Sequence, residues 1–244
     1  MARIKAIVKY KGTAYYGWQK QVKEISVQQC IEDALNKILN LSISIYGSGR
    51  TDAGVHALGQ VFHFDLGKEV ELDKLKYSLN CVLPHDISIL SLENVDDEFH
   101  SRYSAVSKHY RYIISLNEKD PFKLETTYNC LFPTDENLFK KAIKKFEGKH
   151  NFKNFTSKEE DNDNFIRNIY NIDVKIKGND IIIDLYANGF MRYMIRYIVG
   201  TSLAVSWGKE PLSYIDKLLD NDSDRTIVSY KAPPQGLYLV EVLY

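Results

Sequence analysis

Period-two alternation in the opening segment, a capped amphipathic stretch behind it, and the order β, α, β, β, α, β over residues 3–92 predict an α+β fold on the split β-α-β, or ferredoxin-like, pattern. A second copy of the pattern begins near Ser104, so two halves are expected, 1–103 and 104–244. No linker-like composition marks the join.

Ile4, Ala6, Val8 and Tyr10 alternate with Arg3, Lys5, Ile7 and Lys9, the signature of a strand with one packed face and one largely basic face. Lys11 to Gln21 gathers Tyr15, Tyr16, Trp18 and Gln19 between two glycines. Such aromatics either stack on nucleic-acid bases or fold back onto the core, and the segment alone allows both. Ser26 and Gln29 form an S-x-x-Q capping box ahead of Val27, Ile31, Ala34, Leu35 and Ile38 at helical spacing. Strand-like runs around Ile43 and Ile45 and around Val61, Phe62 and Phe64 flank a glycine-rich loop; a short helix near Asp73–Val82 and a strand from Ile87 follow.

In the second half, Ala105–Leu116 reads as a strand and Leu138–Phe146 as a helix entered through Thr134 or Asp135. Lys149–Asn164 is polar, has Phe152 and Phe155 as its only anchors, and reads as a long mobile loop. Two alternating runs meet at the turn signal Gly178-Asn179. A helix from Met191 through Leu203, another after Pro211, and a strand at Leu237–Tyr244 complete the chain.

Composition restricts the function classes. The 244 residues are 44% hydrophobic and 26% charged, as expected of a globular protein, and no apolar run reaches the length of a membrane span. No signal-peptide core opens the chain, which points to the cytoplasm. The three cysteines, Cys30, Cys81 and Cys130, have no metal-ligand spacing and are expected to be buried free thiols. With 32 basic and 32 acidic residues, any nucleic-acid site must be local.

Chemistry concentrates in Gly47-Ser48-Gly49-Arg50-Thr51-Asp52-Ala53-Gly54-Val55-His56-Ala57. No phosphate-loop Lys-Ser/Thr follows, Asp52 stands where a dinucleotide fingerprint needs its last glycine, and no second acidic loop offers a carboxylate pair. A glycine-cradled aspartate is more often a turn former than a nucleophile, so the loop needs support from elsewhere. On a helical wheel from Met191, Arg192 falls inside the apolar arc and Arg196 at its edge. A guanidinium there either pairs with a carboxylate or snorkels to solvent. On Ser107–Ile113, Tyr110 and Tyr112 share one face, which can offer a ring to a base, while His109 and Arg111 share the other, which can meet phosphates.

Gly17-Trp18-Gln19-Lys20-Gln21, Gly49–Ala57, Lys108–Tyr112, Phe190–Arg196 and Gly236–Val240 together resemble the tRNA pseudouridine synthase A family, in the family's order and over nearly the whole chain. The resemblance implies an isomerase that converts uridine to pseudouridine in the anticodon stem-loop of tRNA, around nucleotides 38 to 40. Asp52 would be the catalytic aspartate, Arg50 would help displace the target base, Tyr110 would stack on the uracil, and Arg196 would pair with the aspartate. It further implies a homodimer acting on tRNA rather than DNA, without metal or organic cofactor, with the active site in a cleft between two ferredoxin-like halves. His56 is read as structural. Given the zero net charge, Arg3, Lys5, Lys9, Lys11, Arg102, Lys108 and Arg111 are expected to gather on one side of the dimer to receive RNA.

Overall fold

The computed structural model describes residues 2–116, 119–157, 164–220 and 224–244. The chain forms two compact units, Met1–Val106 with Tyr238–Tyr244, and Ser107–Leu237. In the first part of the chain the elements are β1 (Ala2–Tyr10), α1 (Val27–Leu39), β2 (Tyr46–Gly47), β3 (His56–Leu66), α2 (Leu72–Val82) and β4 (Ile87–Val95). Next come β5 (Ser107–Leu116), β6 (Tyr128–Cys130), α3 (Glu136–Lys144), β7 (Gly148–Asn151), β8 (Ile166–Lys177), β9 (Asp180–Ala187), α4 (Met194–Ser206), α5 (Ser213–Leu219) and β10 (Leu237–Leu243).

In the first unit β1 lies between β3 and β4, antiparallel to both. Its alternation has the expected effect: Ile4, Ala6 and Val8 are buried while Arg3, Lys5 and Lys9 face outward. Short β2 continues the order on the far edge of β3, where Tyr46 faces His63, and β10 runs parallel to β3 through Tyr238 opposite His56. The N-cap of α1 is half of the expected box. Ser26 accepts from the Gln29 amide at 3.2 Å, but the Gln29 side chain turns to Asp33 at 2.6 Å instead of reaching back.

The run at 42–45 is not a strand, although Ile43 and Ile45 are buried. Its backbone is satisfied by α1 side chains: Ile43 N–H donates to Asn36 at 2.7 Å, Ile45 N–H to Glu32 at 3.1 Å, and Gln28 donates to the Ile45 carbonyl at 3.1 Å. The cysteines are free thiols, but only Cys130 is buried; Cys30 is half-buried and Cys81 exposed.

His63 on β3 is buried beneath Tyr46 and His100, with its Nδ1 accepting from the Ser101 amide at 3.2 Å. Burial, helped by the nearby His100 and Arg3, lowers its pKa from 6.5 to about 4. Between these values the unfolded chain binds the proton and the folded chain does not. The stability due to His63 is therefore complete above pH 6.5 and is lost as pH falls towards about 4. Urea titrations across this window should show a slope that His63→Gln flattens; an unchanged slope would place the titrating group elsewhere.

The second unit is an antiparallel run of β5, β9, β8 and β7, with β6 parallel to β5. Gly178, at φ +59°, makes the tight β8–β9 turn. The expected long loop at 149–164 is corrected over its described part. Gly148–Asn151 pairs with β8, and Lys153–Phe155 is a 3-10 turn; residues 158–163 lie outside the described residues. Phe152 and Phe155 are fully buried with Phe146, each contributing about 1.5–3 kcal/mol. Helix α4 begins at Met194 rather than Met191, because Tyr193 takes a left-handed conformation at φ 63° that ends any continuous helix. All thirteen residues of α4 are buried, so it is a core helix, packed on α3.

Candidate active site

The Asp52 loop is held by its backbone and by its small and hydroxylated residues. Ser48 is fully buried; its N–H donates to the Val61 carbonyl at 2.7 Å and its hydroxyl to Gln60 Oε1 at 2.6 Å. Gln60 also donates to the Gly49 carbonyl at 3.0 Å. Thr51 Oγ1 meets the Tyr10 hydroxyl at 2.8 Å, and burial pushes that phenol's pKa well up, so it stays protonated. Gly54, at φ +77°, closes the turn in which the Val55 amide donates to the Asp52 carbonyl at 3.1 Å.

A second loop lies flat against this one. Trp18 N–H donates to the Thr51 carbonyl at 3.1 Å, and Gly54 N–H to the Tyr15 carbonyl at 3.3 Å. Gly12 N–H donates to His56 Nδ1 at 2.9 Å, and the His56 ring sits 4.7 Å from that of Tyr238. His56 is thereby a structural acceptor. A β-carbon on Gly12 would lie 1.9 Å from the Val55 carbonyl oxygen, and one on Gly17 2.4 Å from the Thr51 carbonyl oxygen.

The aromatics divide. Trp18 and Tyr15 are core residues, Trp18 lying about equally far from Tyr10 and Phe62 at 6.1 and 6.0 Å, while Tyr16 is exposed. The first unit thus presents a half-buried Asp52 with an exposed Arg50 two residues before it, both on an anchored backbone. A carboxylate in that setting can serve as a nucleophile or a base, and a nearby guanidinium can hold an anion or a ring face.

The second unit holds the other two candidates. Tyr110 is buried edge-on to Phe190 at 5.2 Å. Arg196 is 8% exposed, its Nε donates to the Ala232 carbonyl at 2.7 Å, and its guanidinium lies 5.3 Å from the Tyr193 ring centre. Arg196 is therefore the buried arginine that the wheel placed at the arc's edge. Arg192 is exposed instead, because residues 191–193 precede the helix and the wheel does not apply to them.

The basic strand face differs from expectation. His109 and Arg111 both bind Asp184, at 2.6 and 2.9 Å, rather than standing ready for phosphates. Burial alone would raise the Asp184 pKa, but these bonds outweigh it and hold the carboxyl below its ordinary range. Arg3 pairs with Asp65 at 2.8 Å and Lys5 with Glu93 at 2.7 Å, so three of the seven expected RNA-facing cations are locally compensated. Among the described residues no group of His, Cys, Asp or Glu side chains could hold a metal ion, and no helix is long and apolar enough to cross a membrane.

Sequence reasoning overlooked Gln60 and Tyr10 as supports of the loop. A polar residue inside the apolar alternation of β3 was the available signal for Gln60; none marked Tyr10.

A family model described as tRNA pseudouridine synthase matches residues 6–104 and 142–244. The chain is 38% identical over 248 residues to the tRNA pseudouridine synthase A of Thermoanaerobacter pseudethanolicus, with 100% of both chains covered. It is 40% identical over 245 residues to that of Geotalea daltonii and 38% identical over 247 residues to that of Listeria monocytogenes, again with 100% of both covered.

Proposed function

This chain belongs to the tRNA pseudouridine synthase family, and from that membership we propose that it isomerises uridine to pseudouridine in the anticodon stem-loop of tRNA, around nucleotides 38 to 40. The observation that carries the reading is the family match over both the Asp52 loop and the Arg196 helix, within full-length relatives. Tyr110 falls outside the residues matched by the family model, so its role rests on the motif around it and on its edge contact with Phe190.

In this reading the protein is a cytoplasmic homodimer whose units are both ferredoxin-like, and the reaction needs no cofactor. The glycosidic bond from N1 to C1′ breaks, the uracil turns while bound, C5 joins C1′, and the C5 proton leaves as N1 gains one. No oxidant, reductant or water is consumed. Asp52 assists bond breaking either by attacking C1′ or by removing the C2′ proton. A stacked base must first leave the helix, and Arg50 and the Tyr110 ring replace its lost contacts. Arg196 keeps the role that the Phe190–Arg196 motif implies, that of the basic partner to the reaction's carboxylate.

Incubation with an unmodified tRNA transcript, followed by pseudouridine mapping, tests the reading. Pseudouridine within the anticodon arm is expected. Modification confined to another arm would sink the site assignment on tRNA, and absence of pseudouridine would sink the activity. Tyr110→Phe is expected to bind RNA normally and to lose about tenfold or more in turnover if its hydroxyl moves the C5 proton. Unchanged turnover would leave Tyr110 as a stacking surface alone.

A further inference from the structure

Three cations converge on one tyrosine in the second unit. The Arg192 guanidinium lies 4.8 Å from the Tyr193 ring centre, Lys231 Nζ 4.6 Å and Arg196 5.3 Å. Arg192 also donates to the Tyr193 hydroxyl at 2.9 Å, and Lys231 lies 5.9 Å from the Tyr197 ring. Arg192 and Lys231 are exposed, and among the described residues no carboxylate pairs with either. Arg3, Lys5 and Arg111, by contrast, are each paired with a carboxylate.

The arrangement is built rather than incidental. The Ala232 amide donates to the Arg196 carbonyl at 2.9 Å while Arg196 Nε returns a bond to the Ala232 carbonyl, which fixes Lys231 beside α4. Gly200 lets that segment lie directly on the helix: a β-carbon there would be 2.5 Å from the Tyr230 carbonyl oxygen and 2.9 Å from the Ala232 nitrogen. Tyr193 holds its ring among the cations from a left-handed backbone at φ 63°, a conformation costly for a tyrosine. Like charges gathered round one ring repel, and the negative ring face offsets only part of this. An anion approaching from solvent relieves the rest.

We propose that Arg192 and Lys231, grouped around Tyr193, bind phosphodiester oxygens of the RNA substrate. This rests on the reading of RNA as substrate. It goes beyond the roles given to Asp52, Arg50, Tyr110 and Arg196, since neither residue is assigned a part in the bond chemistry. The guanidinium offers a planar fork and the ammonium a point charge, the two side-chain forms that meet phosphate. Both charges lie against the ring and are exposed to solvent.

The test is the salt dependence of RNA affinity. Dissociation constants for an unmodified anticodon stem-loop transcript are measured between low and physiological salt for the intact protein, Arg192→Ala, Lys231→Ala and the charge-preserving Arg192→Lys. Each alanine variant is expected to weaken binding about five- to tenfold at low salt and to reduce the slope of log affinity against log salt by about 1. Arg192→Lys should keep the slope. Unchanged slopes in both alanine variants would overturn the proposal, as would loss of inorganic phosphate binding with RNA affinity intact, which would mark a site for a free anion. Intact, salt-dependent RNA binding by a protein that forms no pseudouridine would fault the reaction and leave the phosphate contact standing.

Discussion

Asp52→Ala is expected to lower pseudouridine formation on tRNA by about 10³-fold or more, some 4 kcal/mol of transition-state stabilisation, with little change in stability. Function and fold separate here because the loop does not hang on the Asp52 side chain alone. Ser48, Thr51 and the Asp52 carbonyl anchor it through bonds to Val61 and Gln60, to Tyr10, and to the Val55 amide. The variant should therefore unfold within a few degrees of the parent and bind RNA with similar affinity. Single-turnover assays with mapped product distinguish loss of chemistry from loss of binding. Activity equal to the parent's would remove Asp52 from the mechanism while leaving family membership untouched.

Gly17→Ala is expected to cost about 3 kcal/mol of stability, the sum of overpacking and of placing a β-carbon at positive φ. Gly17 sits at φ +88°, and the added carbon would meet the Thr51 carbonyl oxygen at 2.4 Å and the Asp52 carbonyl carbon at 3.1 Å. Both are backbone atoms of the Asp52 loop, so relief requires moving that loop. Gly12→Ala shares the overpacking alone, with 1.9 Å to the Val55 carbonyl oxygen. For a chain of this size the loss corresponds to a fall of about 6–12 °C in Tm. Gly67→Ala is the control: nothing lies within 4 Å of its β-carbon position, and a change within about 0.5 kcal/mol is expected. Melting curves of the three variants decide the matter. If Gly17→Ala melts like Gly67→Ala, the close approach of the two loops is not a constraint on the fold. Its turnover should fall further than its folded fraction, since the displaced atoms carry Asp52.

Much of the fold was legible because local pattern and tertiary environment agree. The alternation of β1, the Ser26 cap of α1 and the Gly178 turn between β8 and β9 each report a local preference that packing then reinforces. Legibility failed where one element satisfies another from a distance. Residues 42–45 alternate like a strand, but Glu32, Asn36 and Gln28 take up their backbone groups. Residues 149–156 look polar and unstructured, but their two phenylalanines fill a core that sequence spacing cannot display. The wheel misplaced Arg192 because a left-handed tyrosine is invisible to periodicity.

The residues by themselves determined most of the longer strands and helices, the family, and the residue types of the Asp52 loop, since periodicity, capping and an ordered set of motifs are written in consecutive positions; the short strands at Tyr128–Cys130 and Gly148–Asn151 carry no such mark. Only the tertiary structure decided which glycines that loop depends on and which cations stay unpaired. Gly12 and Gly17 matter because another segment's carbonyls lie where their side chains would be. Arg192 and Lys231 differ from Arg3, Lys5 and Arg111 through what folding brought beside each charge: a carboxylate pairs with each of the latter three and, among the described residues, with neither of the former. Steric exclusion and charge pairing both act through space between residues far apart in the chain, so neither leaves a mark on the local sequence.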